Sequence, residues 1–394
     1  MTPLGSALAV WGALGSAVWI ATLFRATRSL LRLPDLGDGS PARDADLPSL
    51  AVIVPARDEA GAIEAALRSI LSQRYPDLEV VVVDDGSTDA TGEIVDRLAG
   101  EDPRLVALHL EDPPPEGWLG KIHAVERATR ETSAEWLLYT DADVRFAPDA
   151  ARRAVARAER ERLDHLSAIP TVESPTAPMR VVVAAFGLLA LVHAMDHHDP
   201  DHEDAFGIGA FNLVRRAALE RTPGWEWLRR EPADDVGLAR MIRAAGGRSS
   251  LVFGHDRVRL RWYGGLGATV RGFEKNAFGF AGRYRPGRTL AASAGGAVFA
   301  LAPFAALAAP AWWARAAVGG VAIGLLAFAA VRRRRLGLPF WPPLLAPLGV
   351  AALAWAIARS GLVAWRRGGI AWRGRLYPVQ ELREGQRVWL ERWL

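Results

Sequence analysis

The sequence predicts an α/β domain whose mostly parallel sheet has helices on both faces, with transmembrane helices at its N- and C-terminal sides. Residues 49–287 alternate short apolar runs with amphipathic stretches, an order typical of parallel strands joined by helices. Uncharged stretches long enough to cross a bilayer lie on both sides of that region. Hydrophobic residues make up 50% of the 394 residues and charged residues 23%, which excludes a disordered chain.

Composition also excludes several kinds of function. Cysteine is absent, so disulfide scaffolds, thiolate zinc sites, iron–sulfur clusters and cysteine nucleophiles are ruled out. The formal net charge is only +4, and the arginines lie at the borders of apolar stretches and in helices, without interleaved aromatic residues. We therefore expect no nucleic-acid partner.

The first predicted element is a transmembrane anchor over residues 1–25. No charged side chain occurs before Arg25, and the stretch from Leu4 to Phe24 can span the roughly 30 Å hydrocarbon core. The basic residues follow this stretch instead of preceding it, unlike a cleaved signal peptide: Arg25, Arg28 and Arg32. By the positive-inside rule, the domain after a linker at 26–48 is predicted to be cytoplasmic.

Four apolar runs predict the first strands of the α/β region at 49–287: Leu50 to Pro55, Glu79 to Asp84, Leu105 to Leu110, and Trp136 to Thr140. Ligands of parallel sheets bind at the carboxyl ends of the strands. Acidic turns follow three of these runs, at residues 57–59, 84–89 and 141–143. The first turn lacks a Gly-x-Gly-x-x-Gly fingerprint and no Walker loop occurs, which argues against a dinucleotide cofactor.

Asp141 and Asp143 stand two residues apart after the fourth run, so they point to the same side of the chain. Paired carboxylates at a ligand edge suit Mg²⁺ or Mn²⁺, with substrate phosphates as further ligands. An isolated Asp-x-Asp is more often an ordinary solvated turn. Its position after a buried strand, beside two other acidic turns, favours the metal site.

The region at 288–365 predicts further spans. Thr289 to Ala314 and Ala316 to Val331 form an out-and-back hairpin that ends in four consecutive arginines. Leu336 to Ala358 is a third apolar stretch, but four prolines would break or kink it: Pro339, Pro342, Pro343 and Pro347. Because a third simple span would place the basic tail at 366–394 outside, a re-entrant segment is an alternative.

Three motifs resemble those of the family 2 glycosyltransferases, inverting enzymes with the GT-A fold. They run from Ala51 to Glu59, from Val83 to Asp89 and from Thr140 to Val144. Further segments resemble a membrane-anchored branch whose members glycosylate carotenoids, ceramides or hopanoid-linked lipids: Gly117 to Lys121, Gly207 to Phe211, Arg261 to Tyr263 and Gly272 to Asn276.

That resemblance implies roles for particular residues. Asp85 would contact the nucleotide base, and Pro55 and Glu59 would line the same pocket. Asp141 would face the ribose, diphosphate and metal, and Asp143 would be the direct metal ligand. A divalent ion across the diphosphate would stabilise the departing charge.

Inverting transfer needs a base for the acceptor hydroxyl, and the candidate is Asp235. It follows Asp234 at the start of an amphipathic helix, where two acids could equally serve only as a helix cap. The family usually has Glu-Asp here, so Asp234 is assigned a supporting role.

Lys121 opens another helix, where it could meet a phosphate or be an ordinary surface lysine. Lys275 is a weaker candidate, since it could equally snorkel to lipid headgroups.

Acceptor-side residues are predicted at Gly209, Phe211, Arg261 and Trp262. Processive polysaccharide synthases carry Gln-x-x-Arg-Trp, and this chain has Val258 in place of the glutamine, which favours transfer of a single sugar.

Histidines and acids cluster between His193 and Asp204, a range that includes Glu203. This cluster could bind a metal, but Pro200 interrupts the helical spacing of its histidines. A solvated acidic loop is the favoured interpretation, with acceptor binding or pH sensitivity as alternatives.

Together these observations predict a multi-pass cell-membrane glycosyltransferase with a cytoplasmic catalytic domain. It would move one sugar from a nucleoside diphosphate sugar, with a UDP-sugar favoured, to a lipid hydroxyl. The alternatives are a processive synthase-like transferase, a nucleotidyltransferase and an inactive membrane scaffold that binds nucleotide sugars.

Overall fold

The computed structural model describes residues 2–39, 43–262 and 265–389. Ten strands occur in these ranges: β1 Leu50–Ala56, β2 Leu78–Asp84, β3 Leu105–His109, β4 Trp136–Tyr139, β5 Val144–Phe146, β6 His165–Glu173, β7 Asn212–Arg215, β8 Ser249–Arg261, β9 Gly369–Trp372 and β10 Arg375–Pro378. The four predicted strands are β1 to β4, and their observed bounds differ from the predicted ones by one residue at most.

Eight strands form one sheet in the order β3-β2-β1-β4-β7-β6-β8-β5. β1 pairs in parallel with β2 and β4, and β2 pairs in parallel with β3. β7 runs antiparallel to both β4 and β6, and β5 runs antiparallel to β8. The parallel half contains the acidic turns, so their side chains meet at one edge.

Helices cover both faces of the sheet. The helices are α1 Pro3–Arg32, α2 Ile63–Leu71, α3 Thr91–Glu101, α4 Gly120–Glu131, α5 Ala150–Glu161, α6 Ala177–His193, α7 Arg216–Glu220, α8 Trp225–Leu228, α9 Asp234–Ala244, α10 Leu266–Gly282, α11 Pro286–Ala305, α12 Trp312–Leu336, α13 Ala346–Arg367 and α14 Val379–Gly385. Alternate residues of β1 face opposite cores because strand side chains have a period of two: Val52 packs with α2 and α5, and Ile53 packs with α4 and α9.

Four helical segments are long and apolar enough to cross a membrane: Pro3–Arg32, Pro286–Ala308, Trp312–Leu336 and Pro342–Arg367. α1 continues beyond the predicted anchor boundary at residue 25, so Arg28 and Arg32 belong to the helix and not to the predicted linker. Arg32 pairs with Asp196 at 3.2 Å. α1 packs lengthwise against α11 and α12.

The third C-terminal helix begins later than the sequence predicted. Pro342 and Pro343 lie in a short 3₁₀ turn over Pro342–Leu345, and Pro347 lies in the first turn of α13. Proline is tolerated in a first turn because its missing N–H has no helical partner there. The prolines therefore interrupt the predicted stretch between α12 and α13, as expected, and Pro347 then lies in the first turn of α13, which continues to Arg367.

The segment after α13 is folded, which corrects its prediction as a basic tail. β9 and β10 form an antiparallel hairpin over residues 369–378, here named the C-terminal hairpin. Its two central turn residues, Arg373 and Gly374, both have positive φ, at 49° and 75°, as a two-residue hairpin turn requires. The hairpin and α14 pack on the catalytic region, as described below.

Candidate active site

Four segments converge at the carboxyl edge of the parallel strands. Asp141 follows β4, Lys121 lies in the first turn of α4, Gly209 precedes β7, and Asp234 and Asp235 open α9. With other residues they line a cleft of about 10 Å³, room for about one water molecule. The structure thus brings together residues that are more than 100 positions apart in the chain.

Lys121 is the cation of this cleft. Its Nζ lies 2.9 Å from Oδ1 of Asp141 and 3.1 Å from Oδ2 of Asp234. Burial disfavours the charged ammonium, but attraction by Asp141, Asp234 and Asp235 outweighs it and raises the pKa of Lys121. Lys121 is therefore a charged site residue and not an ordinary surface lysine.

Asp235 is held by backbone donors. Gly209 N–H donates to its Oδ2 at 2.8 Å, and Val236 N–H donates to its Oδ1 at 2.9 Å. Asn212 donates from Nδ2 to the Asp235 carbonyl at 3.2 Å. Burial and the nearby charge of Asp234 raise the pKa of Asp235 to about 6, against the opposing effect of Lys121. A carboxylate with such a pKa can accept a proton near neutral pH.

Gly209 lies between the two acidic groups of the cleft. A Cβ at this position would stand 2.8 Å from Oδ2 of Asp141 and 3.4 Å from Oδ2 of Asp235. A side chain there would fill the space between these carboxylates. Glycine is therefore required by close approach, which the sequence did not reveal.

Asp143 and Asp141 provide the candidate metal ligands. Burial, followed by the charges of Asp141 and Glu59, raises the pKa of Asp143 to about 7. Crowded carboxylates of this kind are relieved by a cation, and their hard oxygens fit Mg²⁺ or Mn²⁺. Among the described residues, no group of three or more His, Cys, Asp or Glu side chains is placed to bind a metal. Two protein carboxylates suit a metal site in which oxygens of the substrate provide the remaining ligands.

The predicted nucleotide end is built around Asp85. Arg57 donates from Nη1 to the Asp85 carbonyl at 2.5 Å and lies 3.4 Å from Oδ2. Arg375 of the C-terminal hairpin lies 3.2 Å from the same Oδ2. Arg373 pairs with Glu59. Burial raises the pKa of Glu59 despite the opposing effect of Arg373. Pro55 lines the neighbouring cleft with Lys121.

The four residues predicted on the acceptor side do not lie together in the structure. Gly209 lies in the cleft, but Phe211 is fully buried in the sheet core and packs edge-on against Phe146. Phe211 lies just before β7 and, unlike its neighbour Asn212, does not line the cleft, so we do not retain it as an acceptor-side residue. Trp262 packs against Phe186 of the apolar helix α6, with ring centroids 5.5 Å apart. Arg261 is the exposed last residue of β8.

Two motif residues, Tyr263 and the side chain of Lys275, lie outside the described residues.

The histidine-rich segment packs against the sheet. His197 is buried beside His202, with ring centroids 4.6 Å apart. The backbone carbonyl of His197 accepts from Leu251 N–H at 2.9 Å, and Asp204 binds Arg240 through two bonds of 3.0 and 2.8 Å. The segment is the loop between α6 and β7: His197 packs against the sheet, while Asp199, Asp201 and Glu203 are exposed, in agreement with the predicted solvated acidic loop.

Sequence reasoning missed Arg57, Asn212, Glu231, Arg373 and Arg375. The Arg-Gly-Arg stretch at 373–375 has the turn signal of a hairpin, but nothing local relates it to Asp85, which lies 290 positions earlier. Glu231 is buried and accepts bonds from the C-terminal segment. An acid before a proline gave no sign of such a partner.

A mixed sheet with acidic turns at its ligand edge defines this chain as a protein with the GT-A type of glycosyltransferase fold. Residues 51–222 match the family described as Glycosyl transferase family 2. A mannosyltransferase from Pyrobaculum calidifontis, solved with GDP-Man and Mn²⁺, superposes with a TM-score of 0.55 at 22% identity. The superposition covers 91% of this chain and 99% of that one.

Two curated relatives match shorter stretches. Glycosyltransferase AglD of Haloferax volcanii is 37% identical over 100 residues, which are 24% of this chain and 15% of that protein. A 4,4'-diaponeurosporenoate glycosyltransferase of Staphylococcus aureus is 35% identical over 98 residues, 25% of this chain and 24% of that protein. The chain thus matches less than a quarter of the length of either relative.

Proposed function

We propose that this protein is a membrane-bound inverting glycosyltransferase. It transfers one sugar from a nucleoside diphosphate sugar to the hydroxyl of a lipid. The observation that carries this proposal is the cleft in which Lys121 pairs with Asp141 and Asp234 while Gly209 holds Asp235, within a family 2 glycosyltransferase domain.

In the proposed reaction Asp235 is the general base. Its carboxylate takes the proton of the acceptor hydroxyl while that oxygen forms a bond to the anomeric carbon of the sugar. The bond from that carbon to the diphosphate breaks on the opposite side, and the nucleoside diphosphate leaves with the electron pair. Lys121 neutralises Asp234, which leaves Asp235 as the carboxylate free to accept the proton.

The donor occupies the edge between Asp85 and Asp141. Asp85 and Glu59 lie at the nucleoside end, and Lys121 offers its charge to the diphosphate beside Asp141. Asp141 and Asp143 would hold Mg²⁺ or Mn²⁺. When bound, the ion would stabilise the negative charge that develops on the leaving diphosphate.

A lipid acceptor is supported by how the cleft joins the apolar helices. Ile208, next to Gly209, packs against the cluster formed by α1, α6, α11, α12 and α13. The reacting position is therefore one residue from a surface continuous with the candidate spans. One relative is named for 4,4'-diaponeurosporenoate, a name consistent with such an acceptor.

We further propose that α1, α11 and α12 cross the membrane and that α13 does not. Arg335 near the end of α12 bonds to the Leu33 carbonyl, and Arg332 bonds to that of Pro339. These residues precede α13, while Arg375 after it contacts Asp85. Both ends of α13 are thus on the side of the catalytic domain. With the arginines of α1, this arrangement supports a cytoplasmic catalytic domain.

The test is release of nucleoside diphosphate by the purified chain in lipid vesicles, from a panel of UDP-, GDP- and dTDP-sugars with Mn²⁺ or Mg²⁺. We expect turnover with one donor class, stimulated by a lipid extract, and loss of turnover in Asp143→Ala. The anomeric configuration of the sugar in the product, determined by NMR and compared with that of the donor, tests inversion. Absence of binding to every donor would overturn the proposal.

A further inference from the structure

The C-terminal hairpin, residues 369–378, closes the nucleotide end of the candidate site. Arg375 Nη1 lies 3.2 and 3.4 Å from the two carboxylate oxygens of Asp85. Arg373 pairs with Glu59 and also donates to the Asp58 carbonyl at 3.3 Å. Tyr377 accepts from Gly120 N–H, next to Lys121, at 3.3 Å. The hairpin therefore contacts three of the segments that surround the proposed donor.

We propose that Arg373 and Arg375 are donor-binding residues that transfer from these carboxylates to the anionic diphosphate of the donor. This inference rests on the proposed function. Guanidinium groups bind phosphate through two parallel bonds and carry a charge that does not titrate. In the donor-free protein the same groups neutralise Glu59 and Asp85.

Charge balance supports this role. The donor end of the cleft carries four acids, Glu59, Asp85, Asp141 and Asp143, and the diphosphate adds further negative charge. Lys121 is already paired with Asp141 and Asp234. The hairpin adds two positive charges at the edge where they are required, on side chains that are partly exposed: 41% for Arg373 and 25% for Arg375.

The segment that follows the C-terminal hairpin is bonded to the rest of the protein, while the turn of the hairpin is partly exposed. An isolated two-stranded hairpin is only marginally stable, but the following segment is bonded to the catalytic region. Arg383 donates to the Tyr284 carbonyl at 2.9 Å, and Gln386 donates to that of Gly279 at 2.8 Å. Buried Glu231 accepts from Arg387 N–H at 2.6 Å and Val388 N–H at 2.9 Å. These anchors hold the hairpin beside the cleft while leaving the arginines at its tip.

A close approach at Gly120 supports the same conclusion. A Cβ on Gly120 would stand 2.6 Å from Nη1 of Arg375. Glycine thus leaves room for the guanidinium at the start of α4, and a helix N-terminus itself favours anions. The arginine and the helix start would face the donor from the same side.

The experiment measures dissociation constants of UDP and GDP for the full chain in nanodiscs with Mn²⁺. For the nucleotide that binds, we expect Arg373→Ala/Arg375→Ala to weaken binding by about tenfold or more. Arg333→Ala/Arg334→Ala removes the same two positive charges from exposed positions at the end of α12 and should bind as the wild type does. Arg373→Gln/Arg375→Gln keeps the side-chain bulk and should show the same loss, which guards against an unfolded hairpin.

A variant that also carries Glu59→Gln distinguishes direct binding of the nucleotide from neutralisation of the Glu59 charge. If Arg373 acts only by compensating Glu59, Arg373→Ala/Glu59→Gln would bind the nucleotide as tightly as the wild type and overturn the inference for Arg373. Tighter binding by the alanine variant would mean that the hairpin is a plug, and equal binding would mean that it is a bystander; either result also overturns it. If the wild type binds neither nucleotide, the proposed function itself fails.

Discussion

Gly209 donates its backbone N–H to Oδ2 of Asp235 over 2.8 Å, and this bond connects the proposed base to the strand that follows. The same glycine leaves the space between Asp235 and Asp141. In the proposed reaction, the acceptor hydroxyl would reach Asp235 through that space while the donor lies along Asp141. One residue without a side chain therefore holds the base and keeps its approach open.

Gly209→Ala should remove that approach. The added methyl would lie within 3.4 Å of both carboxylates, so Asp141 or Asp235 must shift, and displacements near 1 Å can cost about 100-fold in rate. We expect kcat to fall by about that factor in the nucleoside diphosphate release assay. Gly100→Ala is the control, since a Cβ there meets nothing within 4 Å. Wild-type turnover by Gly209→Ala would contradict our geometry.

Asp235→Asn should abolish proton abstraction and leave donor binding. General bases contribute about 10²- to 10⁴-fold, so transfer should fall in that range while the dissociation constant of the donor changes little. Rapid-quench turnover and calorimetric titration with the nucleotide measure the two effects. Asp77→Asn is the matched control, because Asp77 is exposed at the opposite end of the sheet, before β2. Equal losses in binding and turnover would instead assign Asp235 to the donor site.

The pH dependence should follow the deprotonation of Asp235. Burial and Asp234 raise its pKa to about 6, and the base works only when ionised, so kcat/KM should decline below about pH 6. Asp234→Asn removes a charge that raises this pKa, and we expect the acidic limb to move to lower pH. The profiles are measured at saturating Mn²⁺, because Asp143 also has a raised pKa without a cation. An unmoved limb would mean that another group titrates.

Glu231→Gln should loosen the C-terminal segment. The carboxylate accepts N–H bonds from Arg387, Val388 and Ala233, whereas an amide nitrogen in one of these positions would face a donor. An unmatched buried donor costs about 1–3 kcal/mol. We expect faster amide exchange at residues 379–388, while exchange in the sheet stays the same. Glu220→Gln, exposed at the end of α7, should leave exchange unchanged, and unchanged exchange in Glu231→Gln would show that the anchor lies elsewhere.

The proposed topology can be tested with single cysteines, because the chain has none of its own. In sealed, oriented vesicles, Arg334→Cys and Gln380→Cys should react with an impermeant maleimide from the same side, and Ala308→Cys from the other. All three positions are exposed. Labelling of Gln380→Cys from the side of Ala308→Cys would mean that α13 crosses the membrane. A glycosyltransferase activity test on each variant verifies that the fold is kept.

Local patterns were sufficient for the strands that carry the acidic turns. The runs that start at Leu50 and Trp136 are apolar and short, and both are strands of the observed sheet. A pattern of this kind reports burial directly, because a central strand is covered on both faces. The order of the antiparallel half was not predictable in this way, since the pairing of β7 between β4 and β6 depends on contacts between distant segments.

Some residues of the candidate site could likewise be predicted from the sequence, and others could not. Asp141, Asp143, Asp235 and Lys121 could be nominated from their residue types and their places next to strands and helices. Phe211 could not be excluded from the sequence, because its motif position is next to the cleft while its side chain points into the core. Its orientation follows from the pleat of the strand that it leads into.

By itself, the sequence determined the α/β class, the acidic ligand edge, the apolar helices and the resemblance to a glycosyltransferase family, because periodicity and motif spacing are local properties. Only the tertiary structure decided that α13 starts at Ala346, that Gly209 separates two carboxylates, and that Arg375 contacts Asp85 across 290 positions. Ion pairs and close approaches of this kind form between segments whose separation along the chain carries no periodic signal. Chain folding alone brings them within reach.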